Sequence, residues 1–222
     1  MKRKLISFGH HIFQLFRKRK KKPFIYVAIG DSTVEGVGAT AGEKSFAGRI
    51  FSFLREHREQ VEYYNFGKAF ATVKDVITFQ LPKVLDKNPD LVVIAVGAND
   101  IQCHTSQRKF DKQYSKLLVT LKQKTHAVII VNTIPDVSSL HIVPRLAKLY
   151  CKWLVQRFNN RISQHAEKTG ASVVDAYKRS NDLKKIYSNY KELLFVDGVH
   201  PSDKGYALWA DTIIQQIYPF VL

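Results

Sequence analysis

The chain has 222 residues, 45% of them hydrophobic and 24% charged, which excludes a mostly disordered chain, a collagen-like chain and a coiled-coil rod. No stretch approaches the roughly 18 uninterrupted apolar residues of a membrane-spanning helix, and two cysteines, Cys103 and Cys151, are too few for a disulfide framework. The net charge is +16, from 35 Lys and Arg against 19 Asp and Glu, a balance that invites nucleic acid or an anionic membrane as a partner.

That invitation depends on where the charge lies. Residues 1–22 hold nine bases (Lys2, Arg3, Lys4, Arg17, Lys18, Arg19, Lys20, Lys21 and Lys22) and no acid, so residues 23–222 carry only a mild excess. The same segment spaces Leu5, Phe8, Ile12, Leu15 and Phe16 by three and four, one face of a helix that Gly9 weakens. Two readings stay open: a surface-lying amphipathic anchor whose bases meet an anionic membrane, or a basic tail or short docked helix. His10, His11 and Gln14 interrupt the apolar stretch and no A-x-A-like site follows it, so a cleaved secretion signal is not expected. The expected location is cytoplasmic or peripherally membrane-associated. Residues 23–222 are expected to form one domain.

After Pro23, apolar runs at residues 24–29, 61–66, 91–96, 127–131 and 172–175 read as five strands. Helical spacing covers residues 44–58, 73–85 (bent or broken at Pro82), 108–123, 146–167 and 202–217, with a loop at residues 135–144. Apolar strands alternating with helices predict an α/β protein with a parallel sheet covered on both faces. In such sheets functional loops lie beyond the carboxyl ends of the strands.

Three polar clusters satisfy that condition: Gly30-Asp31-Ser32-Thr33 after the first strand, Asn65-Phe66-Gly67 after the second and Gly97-Ala98-Asn99-Asp100 after the third. A fourth, Asp197-Gly198-Val199-His200-Pro201-Ser202, precedes the last helix. Each alone is no more than a turn with a helix cap. In this order, at successive strand ends, the chain resembles the SGNH (GDSL-type) hydrolases, whose four functional residues match Ser32, Gly67, Asn99 and His200. The resemblance spans residues 30–201 and omits the N-terminal segment. It implies a three-layer α/β/α sandwich with a five-stranded parallel sheet of flavodoxin-like order. Phe70 and Ala71 stand where the family often has a further small residue, which leaves the shape of the acyl pocket open. Thr33 replaces a common leucine.

The resemblance implies a catalytic set of Ser32, Asp197 and His200. A serine hydroxyl needs a base to become a nucleophile, the imidazole of His200 is the base that the matching motif supplies, and Asp197 would orient it. The Ser32 and Gly67 backbone N–H groups and the Asn99 amide would form the oxyanion hole, Gly67 lacking a Cβ that would hold the substrate away. Asp31 and Asp100 are supporting residues. No cofactor and no metal is expected: no Cys/His spacing resembles a zinc site. His57, His126 and His165 are expected at the surface; a place for Cys103 and His104 at the rim of the site, and for the loop of His141 over the pocket, stays open.

The expected function is hydrolysis of a small-molecule or lipid-derived carboxylic ester through an acyl-serine intermediate, as in a carboxylesterase or lysophospholipase. A thioesterase, a carbohydrate O-deacetylase and an acyl transferase share the chemistry and stay open. The contrasting reading is a basic membrane- or anion-binding module without catalysis. Specific nucleic-acid binding is not expected, because bases and aromatics are not interleaved beyond residue 22 and no phosphate-binding glycine loop is present.

Overall fold

The computed structural model describes residues 22–221. The helix and membrane contact expected of residues 1–22 lie outside the described residues, apart from Lys22.

Strands β1 (Phe24–Gly30), β2 (Val61–Asn65), β3 (Leu91–Ala95), β4 (Val128–Asn132) and β5 (Ser172–Val174) form one sheet. All pairings are parallel, in the order β2-β1-β3-β4-β5, the flavodoxin-like arrangement. Each strand lies within a residue of its expected bounds. The helices are α1 (Ser32–Glu35), α2 (Phe46–His57), α3 (Val73–Asp75), α4 (Leu81–Lys87), α5 (Ala98–Gln102), α6 (Gln107–Lys124), α7 (Lys148–Thr169), α8 (Ala176–Ile186) and α9 (Asp203–Val221).

Side chains alternate across the sheet, so each central strand feeds two cores. Ile25, Val27 and Ile29 of β1 join Val92, Ile94, Ile129 and Val131 against residues of α4, α6 and α7. Tyr26 and Ala28 join Leu91, Val93, Ala95, Ile130 and Val174 against α2 and α9. Burial on both faces explains why β1, β3 and β4 read as continuous apolar runs. The edge strand β2 is half-exposed, with Tyr63 stacked on Tyr26 and on Phe51, ring centroids 5.0 Å apart in each case.

Residues 73–85, expected as a helix bent or broken at Pro82, are interrupted earlier, at a wide turn that precedes the proline. A capping box between Thr72 and Asp75 starts α3. The chain then widens into a π-helical turn at Val76–Gln80 before α4. Pro82 sits in the first turn of α4, where its fixed φ suits the helix. Gln80, at the end of the wide turn, is buried. Its Oε1 accepts from the Gly30 N–H at 2.8 Å and its Nε2 donates to the Gly30 carbonyl at 2.8 Å.

A second difference is α8. Only Ala176 and Leu183 of its eleven residues are buried, too few apolar positions to reveal a helical period. Asp175, expected to close the fifth strand, instead caps α8 by accepting from the Lys178 N–H at 2.9 Å.

Removing the Gln80 amide leaves the Gly30 N–H without its partner and the Gly30 carbonyl with the Lys68 N–H alone. Gln80→Ala is expected to lower unfolding free energy by about 2–4 kcal/mol in urea titration; a loss under about 0.5 kcal/mol would show that the clamp contributes little.

Candidate active site

β1 ends in an unusual backbone. Gly30 has φ +148°, and a Cβ there would lie 1.9 Å from the Ala95 carbonyl oxygen of β3. No side chain fits between the two strands at this point. The next residue, Asp31, caps α1: its Oδ1 accepts from the Thr33 N–H at 3.0 Å and from the Thr33 hydroxyl at 2.8 Å. Burial pushes the Asp31 carboxyl up, and those bonds to Thr33 draw it part of the way back. Ser32 opens α1, so its N–H belongs to the first turn, whose amides have no intrahelical acceptor.

The Ser32 hydroxyl lies 2.9 Å from His200 Nε2, and His200 Nδ1 lies 2.6 Å from Asp197 Oδ2. Asp197 Oδ1 also accepts from the Val199 and His200 N–H groups at 2.8 and 3.0 Å. Partial burial pushes the Asp197 carboxyl up, but the hydrogen bond from the His200 ring and those from these two amides outweigh it and hold the carboxyl below its ordinary value. An ionised carboxylate only accepts. Nδ1 therefore carries the imidazole proton, which leaves Nε2 to accept from Ser32.

Ser32 and His200 come from opposite ends of the sequence, and several contacts set their separation. Asp203, the first residue of α9, accepts from the Thr40 N–H at 2.8 Å and the Thr40 hydroxyl at 2.7 Å. These bonds, with Lys44 nearby, lower its carboxyl to about 2. The Tyr206 hydroxyl donates to the Val37 carbonyl at 2.7 Å. The histidine loop closes on itself through Phe195 N–H to the His200 carbonyl and a Leu194–Pro201 bridge. Gly198 takes φ +64° inside it, with the His141 ring so close that a Cβ would lie 2.7 Å from it.

The three expected oxyanion donors are not equivalent. Ser32 and Asn99 line a cavity of about 740 Å³ together with Asp197 and His200. Asn99, in the first turn of α5, donates through Nδ2 to the Ala71 carbonyl at 3.1 Å. Gly67 lines a neighbouring cavity of about 450 Å³, which shares Ala69 and Phe70 with the first. Its N–H is held by Asn65 Oδ1 at 2.9 Å, while Asn65 Nδ2 donates to the Val34 carbonyl at 2.7 Å. A Cβ on Gly67 would fall 2.5 Å from Glu35 N and 2.7 Å from Val34 C. Glycine is therefore required there by contact with α1, and not only to leave room for a substrate. Spacing alone does not show this contact, nor the parts played by Gln80 and Asn65; an isolated amide inside the apolar run at residues 76–81 is the one sequence signal of Gln80.

Asp100 braces the third loop, its Oδ2 accepting from the Val73 N–H at 2.9 Å. Desolvation raises its carboxyl to about 6, only partly offset by that bond. The loop at residues 135–144 overhangs the cavity, contributing Pro135, Leu140, Ile142, Val143 and Pro144 to its wall. Cys103 and His104 are exposed and do not line it. His165, expected at the surface, is buried and hydrogen-bonded through Nε2 to Asp111 at 2.9 Å. The reason is its place on the inner face of α7 beside Ile162 and Ala166. Among the described residues, no group of three or more His, Cys, Asp and Glu side chains is placed to hold a metal ion, and no helix is long and apolar enough to cross a membrane.

A serine hydroxyl hydrogen-bonded to an imidazole that meets a carboxylate is an arrangement shared by several classes of serine hydrolase, and here it lies at the carboxyl end of a parallel sheet. The model of the GDSL-like lipase/acylhydrolase family matches residues 28–208, and the chain belongs to that family. Among curated proteins it is similar to the spore germination lipase LipC of Bacillus licheniformis, 24% identical over 205 residues, covering 85% of this chain and 93% of that one. Among solved structures it is similar to Axe2, an acetylxylan esterase from Geobacillus stearothermophilus, with TM-score 0.71 and 19% identity, covering 87% of this chain and 94% of that one. It is also similar to a lipase/acylhydrolase from Enterococcus faecalis, with TM-score 0.70 and 22% identity, covering 89% and 96%. The chain is an ester hydrolase of α/β architecture.

Asp100 ties the site to stability through pH. Its folded value of about 6 exceeds the ordinary 3.8, so between pH 4 and pH 6 the unfolded chain releases a proton that the folded chain keeps. Stability from this group is complete below about pH 4 and falls as pH rises through 6. The stability of the wild type relative to Asp100→Asn is expected to drop by roughly 2–3 kcal/mol between pH 4 and pH 7 in parallel denaturant titrations. A pH-independent difference would contradict this.

Proposed function

We propose that Ser32 is the nucleophile, His200 the general base and acid, and Asp197 the group that orients and stabilises the imidazolium. The observation that carries this reading is the 2.9 Å contact between the Ser32 hydroxyl and His200 Nε2, with Asp197 on the other ring nitrogen at 2.6 Å. Ser32 Oγ attacks the ester carbonyl carbon as its proton passes to Nε2. The carbonyl oxygen takes the negative charge and is stabilised by the Ser32 N–H and the Asn99 amide, with the Gly67 N–H turning from Asn65 to join them. His200 then returns the proton to the departing alcohol. A water gives its proton to the freed Nε2 and attacks the acyl-serine, and collapse of the second tetrahedral species releases the carboxylic acid and restores Ser32. Asp31 and Asp100 act by holding loops and do not touch the reacting atoms.

The cavity wall formed by Ile134, Leu140, Ile142, Val143, Leu183 and Leu193 supports a substrate with an apolar acyl or alcohol portion, as in a carboxylesterase or lysophospholipase. A carbohydrate O-deacetylase, the activity in Axe2's description, is the second reading and separates from the first in a panel of acyl esters and acetylated oligosaccharides. We further read residues 1–22 as a basic arm distinct from the catalytic domain, with nine positive charges suited to an anionic surface.

Ser32→Ala is expected to abolish turnover of a short p-nitrophenyl ester. His200→Ala is expected to lower kcat by at least about 10³-fold, and Asn99→Ala by about 10²–10³ with little change in KM. Equal loss of binding and turnover in Asn99→Ala, or residual wild-type activity in Ser32→Ala, would overturn these roles.

A further inference from the structure

Residues 137–166 contain no acidic residue and hold Arg145, Lys148, Lys152, Arg157 and Arg161. Within that run Leu146, Leu149, Tyr150 and Trp153 fall at i, i+3, i+4 and i+7, a spacing that ordinarily marks the buried face of a helix. Here the stripe faces outward: Leu146 is 98% exposed, Leu149 82%, Tyr150 63% and Trp153 46%. The helix is fastened to the core further along, through Val155, Phe158, Ile162 and Ala166.

The outward stripe is ordered. Tyr150 and Trp153 stack with centroids 5.7 Å apart, and the Arg157 guanidinium lies 4.7 Å from the centre of the Trp153 ring. It also continues into the mouth of the cavity, because Ile142, half-exposed, and Cys151 belong both to this segment and to the cavity wall. Single exposed leucines need no explanation, but a contiguous apolar stripe flanked by cations does.

We propose that this face docks the protein on an anionic phospholipid bilayer, with the mouth of the catalytic cavity turned toward the lipid. Leucine and aromatic side chains enter the boundary between headgroups and acyl chains, while Arg and Lys keep their charges among the phosphates. Charge selects this occupant over two others. A second copy of the chain presents the same cations, and residues 1–22 are themselves strongly basic, so both bring like charge to the face. An anionic surface brings the complement. The docking concerns where the protein sits and stands independently of which ester Ser32 cleaves.

The test uses the full chain and cosedimentation with vesicles of phosphatidylcholine alone or mixed with phosphatidylglycerol. Wild type is expected to bind the mixed vesicles and to bind the neutral ones at least about tenfold more weakly. Leu146→Glu/Leu149→Glu is expected to weaken binding to mixed vesicles at least about tenfold, with hydrolysis of a short water-soluble ester within about twofold of wild type. Neither leucine lines the cavity. Arg145→Gln/Lys152→Gln, a milder change at two exposed positions, is expected to weaken binding about tenfold and keeps the test open if the first variant misfolds. Brominated lipid is expected to quench Trp153, whereas Trp209 is buried in the core. Unchanged binding in either folded variant, equal binding to neutral vesicles, or a loss seen only when residues 1–22 are deleted would overturn the proposal.

Discussion

The site depends on how the backbone leaves β1 at Gly30. Where a strand runs beyond its ladder, its N–H and C=O still need partners, since a buried unpaired group costs roughly 1–3 kcal/mol. Gln80 supplies both, and the Gly30 carbonyl also accepts from the Lys68 N–H at 3.1 Å. One residue thereby joins the strand that delivers Ser32, the π-helical turn that presents Gln80 and the loop that carries Gly67. The absence of a Cβ at Gly30 permits the close approach to β3 that this junction needs. A similar solution recurs beyond β4, where Asn159 Oδ1 accepts from the Ile134 N–H at 2.7 Å and its Nδ2 donates to the Ile134 carbonyl at 2.8 Å. Both clamped residues sit beside the cavity or within its wall. Buried amides thus hold the functional edge of the sheet where ladder hydrogen bonds run out.

From that junction the geometry of the reacting groups follows with little freedom. Asp31 sets the entry angle of α1 and so the direction of Ser32. Asp203 and Tyr206 fasten the segment at residues 37–40 to the start of α9, which directly follows the histidine loop. The Ser32–His200 distance is thus held by bonds that do not involve either side chain. Such preorganisation matters because a misplacement of about 1 Å can cost 10²-fold in rate. The Asp197 carboxylate in turn fixes the tautomer of His200, so the imidazole presents an acceptor to Ser32 before any substrate arrives.

Much of this was legible in the residues. The central strands are buried on both faces and so appear as unbroken apolar runs. Three of the polar clusters fall at loops that a parallel sheet directs to one edge, and the resemblance to the SGNH hydrolases joins the fourth to them, so that Ser32, Asn99, Asp197 and His200 stand together. What the pattern hides is pairing over long separations. Gln80 meets Gly30 across 50 residues and Asn159 meets Ile134 across 25, and neither amide carries a local signal of its partner. The π-helical turn is invisible for a related reason: its wide hydrogen bonding is selected by where Gln80 must reach. Helix α8 leaves no helical period in the sequence because it buries so little, and a single imidazole on an apolar helix face, as at His165, does not announce its carboxylate. The spacing marks Gly67 as glycine without revealing that the backbone of α1 is what demands it.

The outward stripe at the start of α7 extends the same reasoning to a surface, since apolar residues at helical spacing are informative when they face water beside the cavity that Ser32 and His200 line. The central claim is narrower: His200 activates Ser32. Its most direct measurement is mass spectrometry of the chain after exposure to a fluorophosphonate, which captures only an activated serine. The expected result is a single adduct mapped to Ser32 in the wild type and its loss in His200→Ala. An adduct on another serine, or labelling of Ser32 at an equal rate without the imidazole, would contradict it.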